Sequence, residues 1–73
     1  MSDVAERLSI TINGESRDVP AGLSLAGLIA ALELDTRKVA VERNREIVPR
    51  STYGAVLLAA GDALEIVHFI GGG

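Results

Sequence analysis

The 73-residue sequence contains no cysteine. That absence excludes a disulfide scaffold, a thiolate zinc site, an iron–sulfur cluster and a cysteine nucleophile. There is no tryptophan, and Tyr53 and Phe69 are the only aromatic residues. The single histidine, His68, cannot build a multi-histidine metal site. Seven Lys and Arg against ten Asp and Glu leave a net charge of −3. Such a chain has neither the basic stripe nor the stacking aromatics of a nucleic-acid binder. Residues 1–9 include Asp3, Glu6 and Arg7, so they hold no apolar run for a secretory signal. No stretch approaches the ~20 apolar residues of a membrane span. These absences lead to the expectation of a cytoplasmic protein.

What is present is apolar side chain in regular patterns. Hydrophobic residues make up 48% of the chain, enough for a packed core in a domain that buries only roughly 60% of its unfolded surface. Leu8, Ile10 and Ile12 alternate with Ser9, Thr11 and Asn13, the period of a half-buried strand. Asn13–Gly14 is a strong hairpin signal, because both residues tolerate positive φ. A second strand follows over about residues 16–19, stopped by Pro20. Val19 shares the Leu8/Ile10/Ile12 face if the loop holds two or four residues, but not three.

Ser24 is placed as an N-cap, and Leu23 and Leu28 have the spacing of a hydrophobic staple. Leu25, Leu28, Ile29 and Leu32 fall on one face of a helix expected over about 25–33, with Gly27 weakening it by about 1 kcal/mol relative to Ala. Asp35–Thr36 reads as its exit. Val39 and Val41 mark a third strand, Asn44–Arg45 a turn, and Ile47–Val48 a short return strand ended by Pro49. Residues 50–53 read as polar and irregular, residues 55–60 as a short irregular element, and Gly61–Asp62 as a turn. The last strand is expected over 63–70, with Leu64 and Ile66 on one face and Glu65, Val67 and Phe69 on the other. One amphipathic helix and four or five strands imply an α+β domain, a mixed sheet packed on one helix, which is the β-grasp arrangement. Residues 8–70 form that domain. Residues 1–7 precede it as an extension that need not be ordered, and residues 71–73 follow it as a glycine tail.

No catalytic constellation is visible. Ser51, Thr52 and Tyr53 have no base nearby and read as a turn. His68 reads as a strand residue near the edge or on the Leu64/Ile66 side. Glu33 with Asp35, and Glu42 with Glu46, read as solvated carboxylates, since a catalytic pair needs burial to split its pKa values. The end of the sequence is different. Gly71, Gly72 and Gly73 carry no side chains, should be mobile, and extend ~10 Å, enough to enter a narrow cleft in another protein. Their carboxylate needs activation by a partner before it can react. A frayed end, a linker remnant and a solubilising tail are the competing readings.

Four segments carry a family resemblance: Ile12-Asn13-Gly14-Glu15, the run from Val41 through Asn44, Ile47 and Pro49 to Arg50, Gly61-Asp62-Ala63-Leu64-Glu65-Ile66-Val67, and the ending Phe69-Ile70-Gly71-Gly72-Gly73. From about Leu8 to Gly73 the chain resembles the sulfur carriers of the ubiquitin-like β-grasp superfamily, and within them the thiamine-pathway family, ThiS. The resemblance implies a carrier and not an enzyme. A ubiquitin-activating-like (ThiF-type) adenylyltransferase would adenylylate Gly73. Sulfur from a cysteine desulfurase would convert it to a thiocarboxylate, and thiazole synthase (ThiG-type) would take that sulfur. Gly72 and Gly73 would carry the role. ATP and magnesium would belong to the activating enzyme, with no cofactor bound by this chain. Val67, Phe69 and Gly71 are the expected docking residues, with Phe69 as core left open as the alternative. Arg43, Arg45 and Arg50 would either steer an acidic partner or serve solubility. The small subunit of molybdopterin synthase, a ubiquitin-like protein modifier and an interaction-only domain with an inert tail are the alternatives.

Overall fold

The computed structural model describes residues 6–69. Four of the residues expected to matter, Ile70, Gly71, Gly72 and Gly73, lie outside them, as does most of the expected N-terminal extension.

The first strand, β1, runs over Arg7–Ile12 and the second, β2, over Glu15–Pro20. They pair antiparallel with Ile12 opposite Glu15 and Leu8 opposite Val19. The loop is therefore the two residues Asn13 and Gly14, at φ of 51° and 87°. Positive φ at both positions suits the right-handed twist of the strands, and it puts Val19 on the Leu8/Ile10/Ile12 face. Pro20 is the last residue of β2 and pairs with Arg7, where its missing N–H leaves no central ladder broken.

The helix, α1, spans Leu25–Ala31. Ser24 caps it, its Oγ accepting from the Gly27 N–H at 3.0 Å. A Cβ on Gly27 would lie 2.7 Å from Leu23 Cδ1, so a larger residue there requires the end of the Leu23 side chain to shift. The helix stops earlier than its apolar spacing suggests. Leu34 N–H reaches back to Ile29 O at 3.0 Å and Glu33 N–H to Ala30 O at 2.9 Å. This is a Schellman closure, and it forces Glu33 into the left-handed region at φ 63°. A single 3₁₀ turn, Thr36–Lys38, then leads into β3, Val39–Arg43. Asp35 caps that turn through the Arg37 N–H at 2.8 Å, so the expected exit is a capped element of its own.

A second tight turn, Asn44–Arg45, returns the chain into β4, Glu46–Ile47, one residue ahead of the expected Ile47–Val48. The stretch 50–53 is not irregular: Arg50–Thr52 is another 3₁₀ turn, and Tyr53 is buried. The Tyr53 carbonyl accepts from Ala26 N–H at 2.9 Å, which docks this turn against the start of α1. Residues 55–60 lack regular structure apart from an isolated bridge between Ser24 and Leu57. The last strand, β5, covers Ala63–His68.

The five strands form one sheet in the order β2-β1-β5-β3-β4, with β1 and β5 parallel and the other pairs antiparallel. Helix α1 packs on one face. Leu25, Leu28 and Ile29 from the helix meet Ile10, Val19, Val39, Val41, Leu64 and Ile66 from the sheet, with Tyr53 and Leu58 closing the sides. This is the expected two-layer α+β, β-grasp architecture, with five strands. No helix among the described residues is long and apolar enough to cross a membrane.

Candidate functional site

Strand β5 lies between β1 and β3 and delivers the chain toward the terminal glycines. Its pairing with β3 continues past His68, since Phe69 N–H donates to Lys38 O at 2.8 Å. Alternation along β5 buries Leu64 and Ile66 against the helix and turns Glu65 and Val67 outward. Val67 is 57% exposed and Phe69 44%. Of the two readings of Phe69, the structure leaves it outside the buried core. Gly71, Gly72 and Gly73 fall beyond the described residues.

The outward face contains a residue that the pattern of the sequence does not single out. Ile47 is 78% exposed, more than Val67 or Phe69. It lies opposite Glu42 on β3, which points away from the helix, and Ala40, two residues back on the same face, lies opposite Val67. Ala40, Val41, Glu42, Ile47, Glu65 and Val67 line a shallow groove of about 150 Å³. Parity could have found Ile47. Once the Asn44–Arg45 loop is two residues long, the residue facing Glu42 must share its side of the sheet.

The other candidate side chains do not assemble into a reacting site. Thr52 Oγ1 donates to Pro49 O at 2.7 Å and closes its own turn. His68 is exposed, opposite Val39. Asp35 pairs with Arg37 at 2.9 Å, and that hydrogen bond holds its carboxyl down to about 2. Glu42 faces Ile47 and not Glu46 across β4, and its partner across β5 is Glu65. Among the described residues, no group of three or more His, Asp or Glu gathers where it could hold a metal ion.

Two of the three arginines considered for steering are held by the fold. Arg50 donates to the carbonyls of Thr36 and Val39, each at 3.0 Å, and so clamps the turn before β3. Arg43 Nε donates to Asp62 Oδ2 at 3.0 Å. Asp62 is only 5% exposed and also accepts from Ala59 N–H at 2.8 Å and from Asn44 Nδ2 at 3.2 Å. Burial pushes the Asp62 carboxyl up, but the hydrogen bonds from Ala59, Asn44 and Arg43 outweigh it and hold it below the ordinary carboxylate value. The network locks the β3–β4 turn to the entrance of β5. A second lock acts further along. Asn13 Oδ1 accepts from Ile66 N–H at 2.9 Å and Asn13 Nδ2 donates to Ile66 O at 3.2 Å. The carboxamide thus continues the parallel β1–β5 ladder after the backbone of β1 has turned away. Both locks hold β5 rigidly along the strand that leads to the tail.

Comparison with known proteins bears on this arrangement. The sequence matches the ThiS family over residues 10–73, a span that includes the glycine ending. The chain is 53% identical over 66 residues to a thiazole synthase of Paramagnetospirillum magneticum, and the match covers 90% of this chain and 20% of that protein. It therefore spans about a fifth of the length of the thiazole synthases it matches. Over 50 residues it is 44% identical to the sulfur carrier protein ThiS of Bacillus subtilis, covering 68% of this chain and 76% of that one. The crystal structure of a thiamine biosynthesis protein, ThiS, from Geobacter metallireducens superposes with a TM-score of 0.76 at 33% identity, covering 90% of this chain and all of that one.

Proposed function

The chain belongs to the ThiS family of small sulfur carriers, and we propose that it carries sulfur for thiazole formation in thiamine biosynthesis as a thiocarboxylate on Gly73. The observation that supports this most directly is the run of the family match through Gly71, Gly72 and Gly73, at the end of a strand fixed by the Asp62 and Asn13 locks. The proposed chemistry begins with the Gly73 carboxylate attacking the α-phosphorus of ATP on a ThiF-type adenylyltransferase, with magnesium held by that enzyme and pyrophosphate leaving. A sulfide-equivalent nucleophile mobilised by a cysteine desulfurase then adds to the acyl carbon and AMP leaves. The product is a thiocarboxylate whose sulfur is tethered and more nucleophilic than the oxygen it replaces. This chain supplies no catalytic group to either step. It supplies a backbone terminus without side chains and a body that positions it.

Thiazole synthase is the acceptor in this reading. Proteins of that name contain a stretch like this chain, which supports a working relation between the two. The same names favour the thiamine branch over the small subunit of molybdopterin synthase. Val67 and Phe69, joined by Ile47 and Ala40, are the proposed docking face, with Gly71 leading from it to the reacting end. Exposed apolar side chains grouped on one rigid surface are the usual anchors of a protein interface.

The test is an intact mass after incubation with the adenylyltransferase, ATP and a sulfur source. The expected product is heavier by the replacement of one oxygen by sulfur, with the change located in the last peptide. Removal of Gly72 and Gly73 should abolish it and leave the melting temperature unchanged. An unaltered mass in the presence of a demonstrably active enzyme would overturn the proposal.

A further inference from the structure

We propose that the outer face of the sheet recognises thiazole synthase by charge as well as by apolar contact, with Glu42 and Glu65 together receiving one arginine or lysine of that enzyme inside the rim formed by Ile47 and Val67. The inference rests on the carrier reading above. Its basis is the register. Ile47, Glu42 and Glu65 lie in one row across β4, β3 and β5, and Ala40 and Val67 lie opposite one another in the next row. Two carboxylates directly opposite on one face repel each other, so this arrangement weakens the isolated sheet. Neither carboxylate makes an ion pair or a side-chain hydrogen bond among the described residues.

Among the described residues, no Lys or Arg forms an ion pair with either carboxylate. Arg43 is bound to Asp62, Arg50 to backbone carbonyls and Arg37 to Asp35. Arg45 lines the neighbouring depression together with Glu42 and Glu65 but forms no ion pair with either. The two glutamates thus have the apolar Ala40, Ile47 and Val67 on one side, and Thr11 and Arg45 on the other. A guanidinium fits such a site well, because its edge donates to two carboxylates while its flat faces pack on aliphatic side chains. A second copy of this chain fits badly, since it would set Glu42 and Glu65 against their own equivalents. This proposal makes the partner's contact surface basic, the opposite of the acidic partner that steering by arginines would call for.

The experiment measures the affinity of thiazole synthase for the full chain by calorimetry at low and moderate salt. The parent is compared with the double substitution Glu42→Gln/Glu65→Gln and with Glu42→Asp/Glu65→Asp. Neutralisation should weaken binding roughly tenfold and flatten its salt dependence, while the aspartate pair keeps most of the affinity. The melting temperature of the neutralised variant should be equal to or above the parent's, because a repulsive pair is gone. Affinities within twofold of each other, absence of binding by the parent, or a parent that sediments as a dimer through this face would each overturn the proposal. Intact mass in the same preparations tests the carrier reading separately. A chain that loads sulfur but whose affinity ignores Glu42 and Glu65 overturns the docking inference alone. A chain that never loads sulfur yet loses affinity on neutralisation overturns the carrier reading and leaves the docking inference standing.

Discussion

The two faces of strand β5 obey different rules. On the inner face Leu64 and Ile66 are buried against the helix, and the carboxylate at the strand entrance, Asp62, has a partner for both oxygens. On the outer face Glu65 sits opposite another glutamate, and Val67 is left 57% exposed in the groove that Ile47 also lines. One strand of six residues therefore satisfies every demand of folding on one side and leaves charge and apolar surface unsatisfied on the other. In a domain this small the inner face must supply nearly all the stability, which is why its polar groups are so fully paired. The outer face contributes little to folding and is free to serve a partner.

Truncation separates the two faces most sharply. Leu64→Ala should destabilise the domain by about 3 kcal/mol, combining lost transfer energy with a cavity under α1. Val67→Ala, further along the same strand, should shift stability by less than about 0.5 kcal/mol, as surface changes usually do. Urea denaturation followed by circular dichroism measures both, and equal losses would remove the distinction between the faces.

The second effect belongs to Asp62. Asp62→Ala leaves the Ala59 N–H and Arg43 without their acceptor and should cost about 2 kcal/mol. Because the folded state holds the Asp62 carboxyl below its unfolded value, its contribution is complete above the unfolded carboxylate range near pH 4 and is lost as pH falls through the folded value. Stability profiles of the parent and of Asp62→Ala should therefore run parallel at neutral pH and begin to converge as pH falls below about 4. Asp35, partly exposed with its pKa at about 2, also titrates on this acid limb, so the difference between the two profiles is the informative quantity.

How much of this can be read from the chain depends on the range of the interaction. The Asn13–Gly14 hairpin, the Ser24 cap and the alternation in β5 are local, and each depends on residues a few positions apart. The tail is legible for the same reason, since it is a run of consecutive glycines. The locks are not. Asp62 and Arg43 are 19 residues apart and Asn13 and Ile66 are 53 apart, distances at which no periodicity links two polar side chains. Tyr53 reads as part of a polar turn because its neighbours Ser51 and Thr52 are polar, whereas its ring fills the core beside α1. The helix reads two residues too long because apolar spacing continues to Leu32, while the Schellman closure that stops it depends on Glu33 accepting a left-handed backbone. The proposed docking face is half legible. Val67 and Phe69 follow from β5 alone, but Ile47 and the Glu42–Glu65 pair need the strand order.

The turn between β3 and β4 holds both kinds of residue side by side and gives the finest comparison. Asn44 and Arg45 have φ of 53° and 73°, a region that disfavours any side chain. Asn44 uses its side chain inward, donating to Asp62 Oδ1 at 3.2 Å and accepting from Ala63 N–H at 2.9 Å. Arg45 is exposed and makes no side-chain hydrogen bond or ion pair among the described residues. Glycine relieves the backbone at either position, yet the outcomes should differ in sign. Asn44→Gly should lose about 1 kcal/mol, because two hydrogen bonds disappear for a smaller conformational gain. Arg45→Gly should gain about 0.5 kcal/mol, the relief of left-handed strain less the added entropy of the unfolded chain. Melting curves of the two variants decide the matter. A loss at Arg45 comparable to that at Asn44 would mean that the outward side of this turn supports the fold as strongly as the inward side. The division between the two faces would then not extend to the turn that joins β3 to β4.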